Sequence, residues 1–393
     1  MLTPRLRPTV SFLIGLLAHS LLAAAELEPI GPGPFPVATT HFAVPALDSG
    51  PMFDFLNGKA TANGSHYLTD ILLHPEAVPT VQVEVPRDAK LFGRLAGTRM
   101  PLVLLVVYPT SADNPRADYP FPYKETGDAL FSHMQQPGDQ PIFVDPKGKY
   151  PLVILSGGYN THALWHLWHM KALAAHGYIV VDMLHGDGRS ASLTDGLALR
   201  SLHLRATIDF LLHHPDFGPA IDAERIGATG ESGGGHTVAA ALGGIDPAGR
   251  MPAGAADPRI KAGFGLVPFL GGSLGFWPFK MDFWLFGEDH AGLRGVTRPF
   301  LAVYAANDGN VPPAGVEAGV RAMAGPAAAV MLDGEGHDLS AAATSDIRTW
   351  EILFFNAWLR DDSSARRQLA TGTAVRGGVS DRKTIQQAGR TGK

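Results

Sequence analysis

Arg225-Ile226-Gly227-Ala228-Thr229-Gly230-Glu231-Ser232-Gly233-Gly234-Gly235-His236 is the stretch on which the reading of the fold turns. A short strand-forming run, 225–229, leads into Gly-x-Ser-x-Gly at Gly230–Gly234, and His236–Leu242 continues in helix-forming residues. A serine on such a tight strand-to-helix turn sits on strained backbone with its hydroxyl exposed. Glycines on either side let strand and helix pack closely. In a chain with 46 glycines the bare pentapeptide arises easily by chance, so the strand before it and the helix after it carry the specificity. Ser232 is therefore a candidate nucleophile and not merely a turn residue.

The surrounding texture supports that setting. Leu102–Tyr108 is a continuous apolar run ended by Pro109, the pattern of a strand buried on both faces. Leu152–Leu155 and Tyr178–Met183 repeat it around a helical stretch at Ala163–His176. Helix Leu197–His213 stops before Pro215, and further strands are expected at Ala262–Val267, Phe300–Ala305 and Ala328–Leu332. Thr344–Leu359 reads as a last amphipathic helix with Trp350, Leu353, Phe354 and Trp358 inward. Strand and helix alternating this often predict an α/β fold, a mostly parallel central sheet with helices on both faces.

A serine hydroxyl needs a base, and the base needs an orienting acid. In this architecture they follow in the order serine, acid, histidine, on loops after later strands. Phe300–Ala305 ends in Asn307-Asp308-Gly309, and Ala328–Leu332 ends in Gly334-Glu335-Gly336-His337-Asp338. Both loops fall at carboxyl ends of strands, where sites of open α/β sheets gather. The expected triad is Ser232, Asp308 and His337, although Asp308 also suits a simple turn former. Backbone donors for an oxyanion are expected at Gly233 and at Tyr159, the latter after Gly157-Gly158 in the loop following Leu152–Leu155.

On these residues the chain resembles the α/β-hydrolase superfamily. The likeness lies in Pro151–Tyr159, His176–Val180, the turn at 230–234 and the loops at 308 and 337, and it spans roughly residues 100–360. The chain is most similar to the branch of dienelactone-hydrolase-like proteins, bacterial polyester hydrolases and platelet-activating-factor acetylhydrolases. His185–Ser192 and Val107-Tyr108-Pro109 look like acetylhydrolase segments. Two departures stand out. Gly157-Gly158 replaces the usual His-Gly after the third strand. The acid position of the acetylhydrolases falls on Val267, which moves the acid to Asp308 as in the polyester and dienelactone groups. The resemblance implies an exported serine hydrolase that cleaves carboxylic esters, small or polymeric, through an acyl-enzyme without metal or cofactor. Alternatives are a phospholipid acyl hydrolase of the acetylhydrolase type and an inactive binding protein on the same fold. Dienelactone hydrolases proper use a cysteine, which this chain lacks.

Substrate clues are softer. Six aromatics, Phe276, Trp277, Phe279, Phe283, Trp284 and Phe286, crowd an insert at 270–292. They suit an apolar roof over the site, with Trp277 and Trp284 as substrate contacts, or equally a secondary core under a long loop. Phe269 occupies a position where polyester hydrolases carry a stacking aromatic, and is expected to line the cleft. His162, His166 and His169 fall at helical spacing but lack an adjacent carboxylate ligand or zincin pattern. They read as a polar helix face, with a zinc site as the rival. Glu231, beside the nucleophile, suits either tuning of its surroundings or a structural hydrogen bond.

Composition bounds the rest. With no cysteine, disulfides, thiolate metal sites and cysteine nucleophiles are excluded. The net charge of −5 gives no overall basic field for nucleic acid. That total conceals a split: +2 over 1–25, +6 over 363–393 and −13 between them. Arg5 and Arg7, the apolar run from Val10 to Leu22 and Ala23-Ala24-Ala25 read as a cleaved export signal rather than a membrane anchor, and imply a secreted or periplasmic protein. No later stretch is apolar enough to span a bilayer. Residues 26–99 are expected to supply an extension and first strands, and 100–362 the catalytic domain. The tail, 363–393, lacks periodicity and reads as disordered.

Overall fold

The computed structural model describes residues 25–42, 81–121, 129–135 and 139–389, except for 160, 162, 188–192, 253, 275–280 and 284. The leader at 1–24 and the predicted contacts Trp277 and Trp284 lie outside the described residues. So do His162 and much of the acetylhydrolase-like segment, residues 188–192.

Among the described residues, ten strands form one sheet. They are β1 (Val37–Phe42), β2 (Val81–Glu84), β3 (Arg99–Pro109), β4 (Tyr150–Ser156), β5 (Ile179–Leu184), β6 (Ile221–Glu231), β7 (Ile260–Leu266), β8 (Phe300–Ala305), β9 (Ala327–Leu332) and β10 (Asp381–Gln387). The order is β10-β9-β8-β7-β6-β4-β5-β3-β1, with β2 also on β3. From β5 across to β9 every pairing is parallel, whereas β3 and β10 join antiparallel at the two sides. The fold is thus α/β with a mostly parallel central sheet.

Strand residues alternate between two cores, as the two-residue period of a pleated strand requires. Val103, Leu105 and Val107 of β3 face one core. Leu102, Leu104, Val106 and Tyr108 face the other. Helices α1 (Leu167–Ala175) and α5 (Thr344–Leu359) close the first face through Met170, Leu173, Ile347, Trp350 and Phe354. Helices α2 (Leu193–His213), α3 (Gly233–Ala241) and α4 (Pro313–Ala322) close the second through Ile208, Leu211, Val238 and Val316. Burial on both faces explains why these strands read as unbroken apolar runs.

Strand order reverses around β4: the chain moves outward to β5, then returns to place β6 on the other side. Ligand sites of open α/β sheets lie at the carboxyl ends of strands at such a switch point. Here those ends carry the loop after Ser156 and the turn at Ser232, brought level by the pairing of Ser156 with Gly230.

The tail departs from expectation. Residues 363–371 form helix α6 (Ser363–Thr371), Gly372–Val375 pairs parallel with Ala25–Leu27, and β10 extends the main sheet along β9. Asp362 caps α6 by accepting from the Ser364 and Ala365 amides. Ala365, Leu369, Val375 and Ile385 are buried, and the Trp350 indole donates to Asp381. An added edge strand is held by backbone hydrogen bonds that any side chains permit, so weak periodicity did not announce it. The tail's cations reach acidic residues elsewhere in the chain: Arg376 pairs with Glu28 at 2.6 Å and Arg366 with Asp361 at 2.6 Å.

Among the described residues no helix is long and apolar enough to cross a membrane.

Candidate active site

Ser232 follows β6 and caps α3 with φ 50° and ψ −114°, a backbone region that residues other than glycine rarely occupy. Two neighbours hold it there: the Ser232 amide donates to Leu266 O, and the Phe269 amide donates to Ser232 O. The glycines are obligatory for crowding. A Cβ on Gly230 would sit 2.3 Å from Gly234 O, and one on Gly234 would sit 1.7 Å from Ser156 O. Strand, turn and helix thus pack with no room for side chains, the arrangement the pentapeptide implied.

The structure brings all three predicted triad residues together. His337 Nε2 lies 3.1 Å from Ser232 Oγ, and its Nδ1 lies 2.8 Å from Asp308 Oδ2. The other Asp308 oxygen accepts from the Asn310 and Val311 amides at 2.8 and 2.7 Å. Asp308 is therefore both a turn former and the partner of the histidine, two roles that the sequence posed as alternatives. Glu335 ties the two loops: its carbonyl accepts from the Asn307 amide and its carboxylate from Ser340. Burial pulls the His337 imidazole down, but the Asp308 hydrogen bond and the charges of Asp308, Glu231 and Asp338 outweigh it and leave the pKa raised.

Val267, at φ 40° just past β7, is buried and supplies no acid. Tyr159 and Gly233 converge on the turn. A Cβ on Gly233 would meet the Tyr159 backbone nitrogen at 3.6 Å, which puts the two residues in contact range next to Ser232 in the chain.

Two expectations are corrected. Phe269 is fully buried, its ring packed in the second core beside His236, and offers no face to a cleft, while its amide anchors the turn. Of the aromatic insert, for which roof and secondary core stood as equal readings, Phe286 is core, stacked on His236 with centroids 4.6 Å apart. The histidines of 163–175 do not form a polar outer face. His166 and His169 are buried, while Trp165 and Trp168 are exposed at 37% and 38%. Each inward histidine meets a carboxylate: His166 Nε2 lies 2.9 Å from Glu231, and His169 Nε2 contacts Glu351. Buried carboxylate partners reverse the face that hydrophobicity alone assigns. Among the described residues no group of three or more His, Asp or Glu is arranged to hold a metal ion.

Behind the Gly157-Gly158 loop lies a buried polar cluster that motif reading missed. Arg200 forms a bidentate pair with Asp187, and its guanidinium also donates to Gly157 O and Gly158 O. Opposite it, Glu231 accepts the Gly158 amide at 3.1 Å. His166 sits between Glu231 and Asp182, with Nδ1 3.3 Å from Asp182 Oδ2. Burial alone would depress this imidazole, yet contacts and charges of Asp182 and Glu231 raise it to about 10. Asp182 inside the apolar strand Ile179–Leu184 was the one available signal, since a charge there must find a buried partner.

Comparison with known proteins finds no family model that matches the chain and no curated sequence similar to it.

Proposed function

We propose that this chain is a serine-dependent carboxylic ester hydrolase with the α/β-hydrolase fold. The observation that carries this reading is the unbroken line Ser232 Oγ, His337 Nε2, His337 Nδ1, Asp308 Oδ2, at 3.1 and 2.8 Å, starting from a serine on strained backbone. Strand order around a switch point and the motif resemblance support it further.

In the proposed cycle His337 Nε2 takes the Ser232 proton as Oγ attacks the ester carbonyl. The oxyanion is received by the Gly233 and Tyr159 amides. His337 then returns the proton to the departing alkoxide as the ester C–O bond breaks. Water, deprotonated by His337, releases the acid from Ser232. Asp308 holds the imidazole in the tautomer that leaves Nε2 free to accept. None of these steps requires a metal or cofactor. The basic and apolar leader supports export to the periplasm or medium, as an expectation of sequence.

Turnover of a p-nitrophenyl ester and labelling by a fluorophosphonate test the reading. Ser232→Ala should lose both while retaining its circular dichroism spectrum. Turnover at the wild-type rate in that variant, or a wild-type protein inert to ester and probe alike, would overturn it.

A further inference from the structure

We propose that Glu231 is a positioning residue for the oxyanion hole, holding the Gly157-Gly158 loop against the opposing pull of Arg200. This rests on the serine-hydrolase reading above and goes beyond it by assigning a role to a charge outside the triad.

The peptides on either side of Gly158 have their directions set by opposite charges. Arg200, buried and paired with Asp187, draws the carbonyls of Gly157 and Gly158 to its own side. A planar trans peptide places N–H opposite C=O, so the Tyr159 amide is turned away from Arg200, toward the Gly233 side. Glu231 takes the Gly158 amide from the far side of the loop. Neither glycine has a side chain to hold the loop, and a Cβ on Gly158 would come within 2.7 Å of the Glu231 carboxylate. The Gly158 carbonyl is held further by the Thr161 hydroxyl and amide at 2.9 and 3.3 Å, whereas the Gly158 amide rests on Glu231. Without Glu231 the Gly157–Gly158 peptide is held from the Arg200 side alone.

One Glu231 oxygen, Oε2, faces both the Gly158 amide and His166 Nε2, an arrangement that ionisation strengthens, and its surroundings keep it an anion. Burial works against ionisation, but the His166 contact at 2.9 Å, the charges of His166 and His337 and the Gly158 amide hold its carboxyl below the usual range. Asp182 Oδ2 faces the other ring nitrogen of His166 at 3.3 Å. Because Glu231 adjoins Ser232 in the chain, one residue couples the oxyanion loop to the nucleophile.

Glu231→Gln is the test, since it keeps shape and removes the charge that pairs with His166. A misplaced donor of this kind costs about 10²-fold in rate. We expect kcat for a p-nitrophenyl ester to fall by about that factor, with KM within twofold. Affinity for a phenylboronic acid, which forms a tetrahedral oxyanion adduct on serine, should fall in parallel. A purely structural role would lower the melting temperature without this selective loss. A folded E231Q protein that binds the boronate as tightly as wild type overturns the proposal. If E231Q fails to fold, E231D, which keeps the charge but shortens its reach, faces the same comparison. A wild-type protein that neither binds the boronate nor turns over ester overturns the hydrolase reading, and this proposal with it.

Discussion

Replacing Asp308 by asparagine should trap the proton on the wrong nitrogen of His337. One Asp308 oxygen accepts two backbone amides, from Asn310 at 2.8 Å and Val311 at 2.7 Å. In Asp308→Asn those two donors retain the carbonyl oxygen, since an NH2 group there would face two N–H groups. The amide NH2 is then forced toward His337 Nδ1, 2.8 Å away in the wild type. It can only donate, so Nδ1 must accept and the ring proton moves to Nε2, which faces Ser232 at 3.1 Å. A base already carrying its proton cannot take another from serine. The expected loss is about 10⁴-fold in kcat, or about 5 kcal/mol of barrier. Stability should change little, because every hydrogen bond of the turn is kept. The assay is steady-state hydrolysis of a p-nitrophenyl ester on D308N beside D308A. Alanine leaves the tautomer free but removes the turn's acceptor, so D308A should lose about 1 kcal/mol of stability and keep more activity per folded molecule. A D308N protein within tenfold of wild type, or faster than a comparably folded D308A, refutes the argument.

Other consequences are simpler. Gly234→Ala puts a methyl group 1.7 Å from Ser156 O and should cost more than about 4 kcal/mol, seen as loss of a cooperative thermal transition. Gly233→Ala meets only ordinary contact at 3.6 Å and should fold; a stable G234A protein would show that the turn relaxes. The raised pKa of His337 places the acid limb of kcat/KM above the ordinary histidine value of 6.5, activity falling as pH drops through it. A limb below 6.5 contradicts the Asp308, Glu231 and Asp338 field. Removing 363–393 uncovers the β9 edge and deletes Leu369, Val375 and Ile385 from the core, a loss of roughly 5 kcal/mol or more. Native proteins hold only about 5–15 kcal/mol in total, so the truncated chain should aggregate or melt far lower.

Much of the site was legible because its requirements are local. An apolar strand buried on both faces must be apolar throughout, so β3, β4, β5, β8 and β9 stood out in the sequence. The turn at Ser232 demands glycine where backbone meets backbone, and Gly230 and Gly234 supply it. Asp308 and His337 could be placed because each follows a recognisable strand, and topology then delivers strand ends to one edge. The histidines near 166 were misread because helical spacing reports a face but not what the face meets. Phe269 was misread because position beside a site does not tell which way a ring packs, and this one is buried in the core.

By itself, then, the amino-acid sequence determined the layered α/β architecture, the serine on its glycine-flanked turn and the order of the three residues that meet there. Periodicity and steric crowding act over a few residues and leave their mark on composition. Only the tertiary structure decided that 381–387 docks on the sheet edge, since edge pairing uses backbone groups common to all residues. It alone brought His166 against Glu231, 65 positions apart, and set Arg200 on two glycine carbonyls. Buried charges choose partners by register and packing across the sheet, and those distances exist only once the chain has folded.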